Sequence, residues 1–412
     1  MSAPAPPAPP LSPYHRRLFV FLSVATFFEG YDFFALGQIL PNMRAEMGLS
    51  EAQGGTMVGI IGIGTMLSYA VVRLADKWGR RRVLAITILA YALFTFLTGV
   101  SQTAFDFTAY QLLARIFLIA EWALSMVYAA EEFPAARRGF LIGVIQAFNA
   151  LGSIVCAAVV PLLLNTPYGW RSVYFVGVIP LLLLAYARRG LRETRRFEEM
   201  RSKAPERKRS LFDILRSPYR KRVLQIALIW GFTYMCTQPA VIFWKEFAVA
   251  ERGFTDGQVG LAIAVASLVS LPLAFFVGKG LDAWGRRRGA MLIYGTGVVF
   301  VTGAYHLHGF WLLTASLTGA IFAAVALLTL LNTLTTELFP TEMRGDAFAW
   351  ANNLLGRIGY VIAPAIVGAA AATVGWGNAT SATAVFLAAA LGLILWLIPE
   401  TSRRELEETA RI

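Results

Sequence analysis

Long apolar runs alternate with short polar, often basic, breaks along nearly the whole chain. A membrane-crossing helix needs about 20 mostly apolar residues. Twelve such runs stand near 17–41, 53–73, 82–101, 107–130, 139–163, 170–187, 222–245, 258–280, 288–306, 310–336, 346–372 and 380–398. The pattern predicts an all-α membrane protein. Gly and Pro within several runs agree with that, because neighbouring helices satisfy backbone groups freed by a kink. Composition points the same way: of 412 residues, 57% are hydrophobic and 15% charged, against about 25% charged in ordinary soluble domains.

The polar breaks carry an asymmetric charge. Taking alternate breaks as facing one side, thirty-one Lys and Arg fall on one side and four (Arg44, Arg171, Lys245, Arg252) on the other. Basic residues are retained on the cytoplasmic face, so both termini are expected in the cytoplasm. The formal charge of +12 is therefore loop charge beside a lipid bilayer, and no nucleic-acid partner is expected. The basic stretch at 188–221 reads as a linker lying on anionic headgroups; a binding tail for a partner or nucleic acid is the alternative. Residues 1–13, rich in Pro and Ala, read as a disordered tail without the marks of a signal peptide, and 399–412 as a cytoplasmic tail.

The two halves echo each other at an offset of 206 residues. Asp76-Lys77-Trp78-Gly79-Arg80-Arg81-Arg82 matches Asp282-Ala283-Trp284-Gly285-Arg286-Arg287-Arg288. The same offset carries Gly54 onto Gly260, and Glu131, Pro134, Arg138 and Gly139 onto Glu337, Pro340, Arg344 and Gly345. Such a repeat predicts two six-helix bundles, 14–187 and 222–398. Gly permits a tight turn between helices. The Asp of each turn can accept from a neighbouring helix N-terminus. The Arg run can pair with Glu131 or Glu337, forming a cytoplasmic gate cluster; plain positive-inside anchoring is the simpler reading.

These D-x-W-G-R-R-R and E-x-x-P-x-x-x-R-G segments resemble the signatures of the major facilitator superfamily, and the likeness covers nearly the whole chain. Closer similarity is to its metabolite:proton symporter and sugar-porter branches. Glu29-Gly30-Tyr31-Asp32-Phe33 resembles the E-W-Y-D-F and G-Y-D marks of those branches, and Arg115 with Glu121-Trp122 resembles their fourth helix. Glu193-Thr194-Arg195-Arg196-Phe197 and Pro399-Glu400-Thr401 resemble the marks after spans 6 and 12. Gly30, Ala120 and Val72 depart from the usual Trp, Gly and Gly. The resemblance implies transport driven by a proton gradient and a pairing of Asp32 with Arg115.

Ionisable side chains inside a membrane cost several kcal/mol and are functional candidates. Counting residues from the span ends at ~1.5 Å each puts Asp32 and Arg115 level, roughly 12–14 Å deep, and Glu29 and Glu121 level, roughly 18–21 Å deep. The first pair reads as a proton switch, Arg115 holding the ionised carboxylate and releasing it on protonation; a static tie between spans 1 and 4 is the alternative. Glu29 and Glu121 form a second candidate site for the proton.

Polar stripes mark a candidate substrate cavity: Gln146, Asn149 and Ser153 in span 5, and Tyr234 and Gln238 in span 7, where Gln238 is the repeat-mate of Asp32. Thr329, Asn332, Thr333 and Thr336 follow in span 10, and Trp350, Asn353, Arg357 and Tyr360 in helical register in span 11. Tyr31 and Trp122, within the motif segments, join the substrate candidates. Helix–helix hydrogen bonding is the plainer role for each Asn, Gln or Thr. Arg357, alone in its span, wants an anion.

No phosphate-binding G-x-x-x-x-G-K-[ST] loop occurs, which removes an ATP-driven engine. Two Cys and three His offer no metal site, and no catalytic constellation or cofactor site is visible. The reading is a monomeric secondary transporter, not an enzyme, moving a small organic acid or zwitterion together with H+ by alternating access. A facilitator or exporter on the same fold, and a membrane receptor of transporter ancestry, are the rival readings.

Overall fold

The computed structural model describes residues 11–187, 191–194, 198, 211–340 and 342–401. Most of the linker, the Arg195-Arg196-Phe197 part of the motif and most of both tails lie outside the described residues.

The described chain is helical, with no strands. In order run α1 (Pro13–Met47), α2 (Glu51–Trp78), α3 (Arg80–Gly99), α4 (Ala104–Glu132), α5 (Ala135–Leu164), α6 (Arg171–Ala187), α7 (Arg220–Ile242), α8 (Trp244–Ala250), α9 (Asp256–Trp284), α10 (Arg286–His306), α11 (Phe310–Glu337), α12 (Arg357–Ala382) and α13 (Ala384–Leu397). Short helical turns occupy Asp213–Arg216 and Arg344–Phe348, and Ala349–Gly356 is a π-helix. By length and apolarity, eight of the described helical stretches can cross a bilayer, or nine if α7 and α8 are taken as one span bent by 44°. The apolar run 222–245 reads as one span; the chain breaks within it at Phe243. Likewise Gly375, at φ 83°, interrupts α12, so the final apolar run begins at Trp376 rather than near 380.

Local chemistry sets the boundaries. Ser12 caps α1 ahead of Pro13. Ser50 with Gln53, Thr103 with Asp106, and Thr255 with Gln258 form reciprocal capping boxes at α2, α4 and α9, each satisfying orphan backbone donors of the first turn. The turns after α2 and α9 pass through Gly79 (φ 96°) and Gly285 (φ 87°), a backbone state that a Cβ disfavours.

One core cluster runs through both halves of the chain, from Tyr31 and Trp170 to Trp230, Trp244 and Ile398. Large apolar side chains also point outward, such as Phe105 at 81% and Trp396 at 82% exposure, the surface a bilayer covers. Helices α1 and α5 approach to backbone contact. A Cβ on Gly30 would sit 1.9 Å from the Asn149 carbonyl oxygen, and one on Gly152 would sit 1.9 Å from that of Phe27. A Trp at position 30 has no room in this packing.

The candidate cavity and its flanking ion clusters

A cavity of about 290 Å³ lies between residues of the two chain halves. Phe33, Phe34, Ile61, Gly62, Arg115 and Asn149 line it from the first half. Tyr234, Thr237, Gln238, Lys245 and Tyr360 line it from the second.

Arg115 is the charge buried most tellingly in this wall. It is 4% exposed, and its guanidinium lies 5.0 Å from the Phe33 ring centroid. One terminal nitrogen is buried without a hydrogen bond. Asp32 is 6% exposed, and no Asp32–Arg115 ion pair is made within 4.0 Å. Glu121 accepts from Thr87 Oγ1 at 2.8 Å and from Ser125 Oγ at 3.2 Å. Glu29 is buried at 2%.

On the second half, Tyr234 donates to Asn352 Oδ1 at 2.8 Å and meets Tyr360 edge-on at 5.7 Å. Arg357 lies over both rings, 5.7 and 5.5 Å from their centroids. The Gln238 amide oxygen is buried without a donor.

Other expected substrate residues sit elsewhere. Tyr31 donates to the Val173 carbonyl at 3.4 Å and ties α1 to α6. Trp122 donates to Gln146 at 3.3 Å, linking α4 and α5. Asn332 is exposed away from the cavity lining, and the Thr333 and Thr336 hydroxyls donate back to carbonyls of α11. Trp350 donates to the Leu211 carbonyl at 2.9 Å. Trp350 and Asn353 fall in the π-helical stretch, where i→i+5 bonding breaks the 3.6-residue register that grouped them with Arg357 and Tyr360. Phe33, Phe34, Lys245 and Tyr91 were not among the candidates. The first two follow Asp32 directly in sequence; Lys245 reads as a loop cation, and Tyr91 has Thr87 and Thr95 four residues to either side, the spacing that could have found it.

Two ion clusters repeat at the end of the molecule carrying the basic turns. Arg80 pairs with Asp76 at 3.2 Å and Glu131 at 3.4 Å; Arg286 pairs with Asp282 at 2.8 Å and Glu337 at 2.6 Å. Thr194 and Thr401 donate to Glu131 and Glu337, each at 2.6 Å. Arg138 and Arg344 each donate to a carbonyl five residues back, Phe133 and Phe339. The Asp residues do not cap the following helices, because the arginine four residues on holds them. Glu193 and Glu400 do so instead. They accept from the backbone N–H groups of Arg80 (2.9 Å) and Arg81 (3.2 Å), and of Arg286 (2.8 Å) and Arg287 (3.0 Å). A carboxylate at a helix N-terminus meets both the orphan donors and the positive end of the dipole.

A two-half helical membrane protein with a central cavity and paired basic turns defines a transporter class. The family model of the Major Facilitator Superfamily matches residues 22–354 and 233–411, and the chain belongs to that superfamily. It is 28% identical over 395 residues to a metabolite transport protein of Haemophilus influenzae, covering 92% of this chain and 95% of that one. It is 27% identical over 393 residues to a cis,cis-muconate transport protein of Acinetobacter baylyi, covering 90% and 91%. Its fold matches a bacterial homolog of the human lysosomal transporter Spinster, solved inward-facing and unoccupied, with a TM-score of 0.75 at 14% identity over 93% of this chain and 97% of that one. The protein is thus a multi-pass membrane transporter of small molecules and not an enzyme. Among the described residues no group of His, Cys, Asp and Glu is placed to hold a metal ion.

Proposed function

We propose that the protein carries a small organic acid together with H+ by alternating access, as a monomer with both termini cytoplasmic and with 14–187 and 222–398 as the moving bundles. The observation that carries this reading is Arg115: a guanidinium in the cavity wall, buried, stacked on Phe33, and without a carboxylate within 4.0 Å among the described residues. An uncompensated buried cation is costly, and a planar fork of donors matches a carboxylate. Phe33, Phe34, Tyr234 and Tyr360 offer ring faces to an unsaturated or aromatic body. The name of the Acinetobacter relative, a muconate transport protein, supports an organic anion. Asp32 takes the proton: ionised, it is drawn toward Arg115; protonated, it leaves Arg115 to the substrate.

Calorimetric binding of aromatic and unsaturated carboxylates to the purified protein tests the anion site. Arg115→Gln is expected to weaken binding about 30-fold or more, as for a charge-assisted hydrogen bond of ~2 kcal/mol, and the neutral amide of the same ligand to bind far more weakly than the acid. Equal affinity for acid and amide contradicts the reading.

A further inference from the structure

The repeat supplies its own control for buried polarity. In the first half, Thr87, Tyr91, Thr95 and Thr98 share one face of α3, and Gln111, Glu121 and Ser125 stand on α4. None of these is more than 1% exposed. The 206-residue offset carries Thr87, Thr95 and Thr98 onto Ile293, Val301 and Ala304 of α10, and Gln111, Glu121 and Ser125 onto Leu317, Leu327 and Leu331 of α11. All six mates are buried in the apolar core. The twin helix pair thus packs with no polar side chain at these places, so packing does not call for them in the first half. Burying them is also costly unless they are paired. The polar groups meet across α3 and α4. Thr87 Oγ1 donates to Glu121 Oε2 at 2.8 Å and Ser125 Oγ to Glu121 Oε1 at 3.2 Å. Nearer the end away from the basic turns, Gln111 Nε2 donates to Thr98 Oγ1 at 3.4 Å, and Ser101 Oγ to the Thr98 carbonyl at 2.8 Å. Tyr91, Thr95 and Arg115 lie between these two groups along the helices. The Thr95 hydroxyl and one terminal nitrogen of Arg115 are buried without a hydrogen bond. Of this seam only Arg115 also lines the cavity; its guanidinium rests on Phe33, the residue after Asp32.

We propose that this seam, inside the first half and apart from the substrate cavity, is the route by which H+ reaches Asp32 from the end away from the basic turns. Proton and substrate then enter separately. A hydroxyl both donates and accepts, so Ser101, Thr98, Thr95 and Tyr91 each take a proton onto oxygen while giving up the one they carried. None of them is changed at the end of the passage. Gln111 is a positioning residue that orients the Thr98 hydroxyl. The unpaired Thr95 hydroxyl, one turn from both Thr98 and Tyr91, is the link between them, and a buried water completes it. The proton comes to rest on a carboxylate oxygen of Asp32. It passes no further, because the fixed charge of Arg115 repels an excess proton, so the seam delivers without leaking. The route deepens the proton half of the proposed function and rests on it, but its test does not need flux.

The test blocks each route in turn on the full chain in detergent. A laser flash releases protons from a caged acid, and the infrared band of the protonated Asp32 carboxyl, assigned as the band lost in Asp32→Asn, is followed in time. Thr95→Val installs the residue found at the repeat-mate, and it is expected to slow the rise of that band about tenfold or more. Thr95→Ser keeps the hydroxyl and is expected to restore the parent rate. Because the Thr95 hydroxyl has no partner to lose, Thr95→Val leaves no buried group newly unpaired. Gln111→Leu is expected to slow the rise about threefold. Thr237 lines the cavity; Thr237→Cys carrying a bulky maleimide, in a Cys156→Ala and Cys236→Ala background, plugs it. The plug is expected to leave the rate within about twofold of the parent. A plug that slows protonation as much as Thr95→Val, or equal rates in Thr95→Val and Thr95→Ser, overturns the route. Absence of any titrating Asp32 band sinks the proton role of Asp32 and the route with it, and leaves carboxylate binding at Arg115 standing.

Discussion

Single residues decide what this cavity accepts. Arg115 and Arg357 both present guanidinium groups to aromatic rings rather than to carboxylates, yet they differ in depth of commitment. Arg357 is held between Tyr234 and Tyr360, a cation–π contact of ~0.5–2 kcal/mol; each guanidinium keeps one buried nitrogen without a hydrogen bond, but only Arg115 lines the cavity. On the proposed reading Arg115 is the anion site, and Arg357 the group that fixes the two tyrosines. Tyr360→Phe is expected to leave affinity within about threefold, since the ring face that Arg357 rests on is kept; a larger loss would place the Tyr360 hydroxyl on the substrate. Asp32 carries the other half of the account. Asp32→Asn is expected to retain exchange of labelled for unlabelled substrate and to lose accumulation against a gradient, read in paired counterflow and uphill-uptake assays. Retained accumulation would remove the proton role from Asp32.

At the scale of elements, the paired turns show what a motif can and cannot tell. The 206-residue offset, the Arg80–Glu131 and Arg286–Glu337 pairs and the glycine turns are legible in sequence, because each rests on local spacing and charge. The job of Glu193 and Glu400 is not: they lie 112–114 residues from the N–H groups they cap, and only the folded chain brings them there. Glu400→Gln keeps the acceptor and loses the charge, and is expected to cost about 0.3–1 kcal/mol; Glu400→Ala is expected to cost more. Thermal unfolding in detergent checks the order. The π-helix at 349–356 was equally hidden. A helical-register reading of Trp350, Asn353, Arg357 and Tyr360 assumes 3.6 residues per turn throughout, and the i→i+5 segment separates the first two from the last two. Gly30, a departure from the family pattern, is explained by the α1–α5 contact, which no local pattern could reveal. Gly152→Val, which meets the Phe27 carbonyl in that same crossing, is expected to abolish a folded protein or shift its unfolding sharply downward.

The whole molecule sets these parts around one cavity. The cavity lies between residues of the two chain halves, and the Arg44–Glu246 and Lys245–Asn42 contacts join those halves at the end away from the basic turns. The membrane class, the superfamily and five cavity residues (Arg115, Asn149, Tyr234, Gln238 and Tyr360) are legible in sequence, since burial of charge in lipid is a strong constraint. The aromatic wall of Phe33 and Phe34 and the place of Lys245 in the lining are not legible there, because helix rotation and a bend at Phe243 are set by packing rather than by periodicity.

The most direct measurement is uptake into proteoliposomes loaded at neutral pH and diluted into acidic buffer, with an aromatic or unsaturated carboxylate as labelled substrate. The account predicts accumulation above the outside concentration, collapse of that accumulation on adding a protonophore, and loss of uptake in Arg115→Gln. Uptake that proceeds equally without the pH gradient and without Arg115 would contradict it.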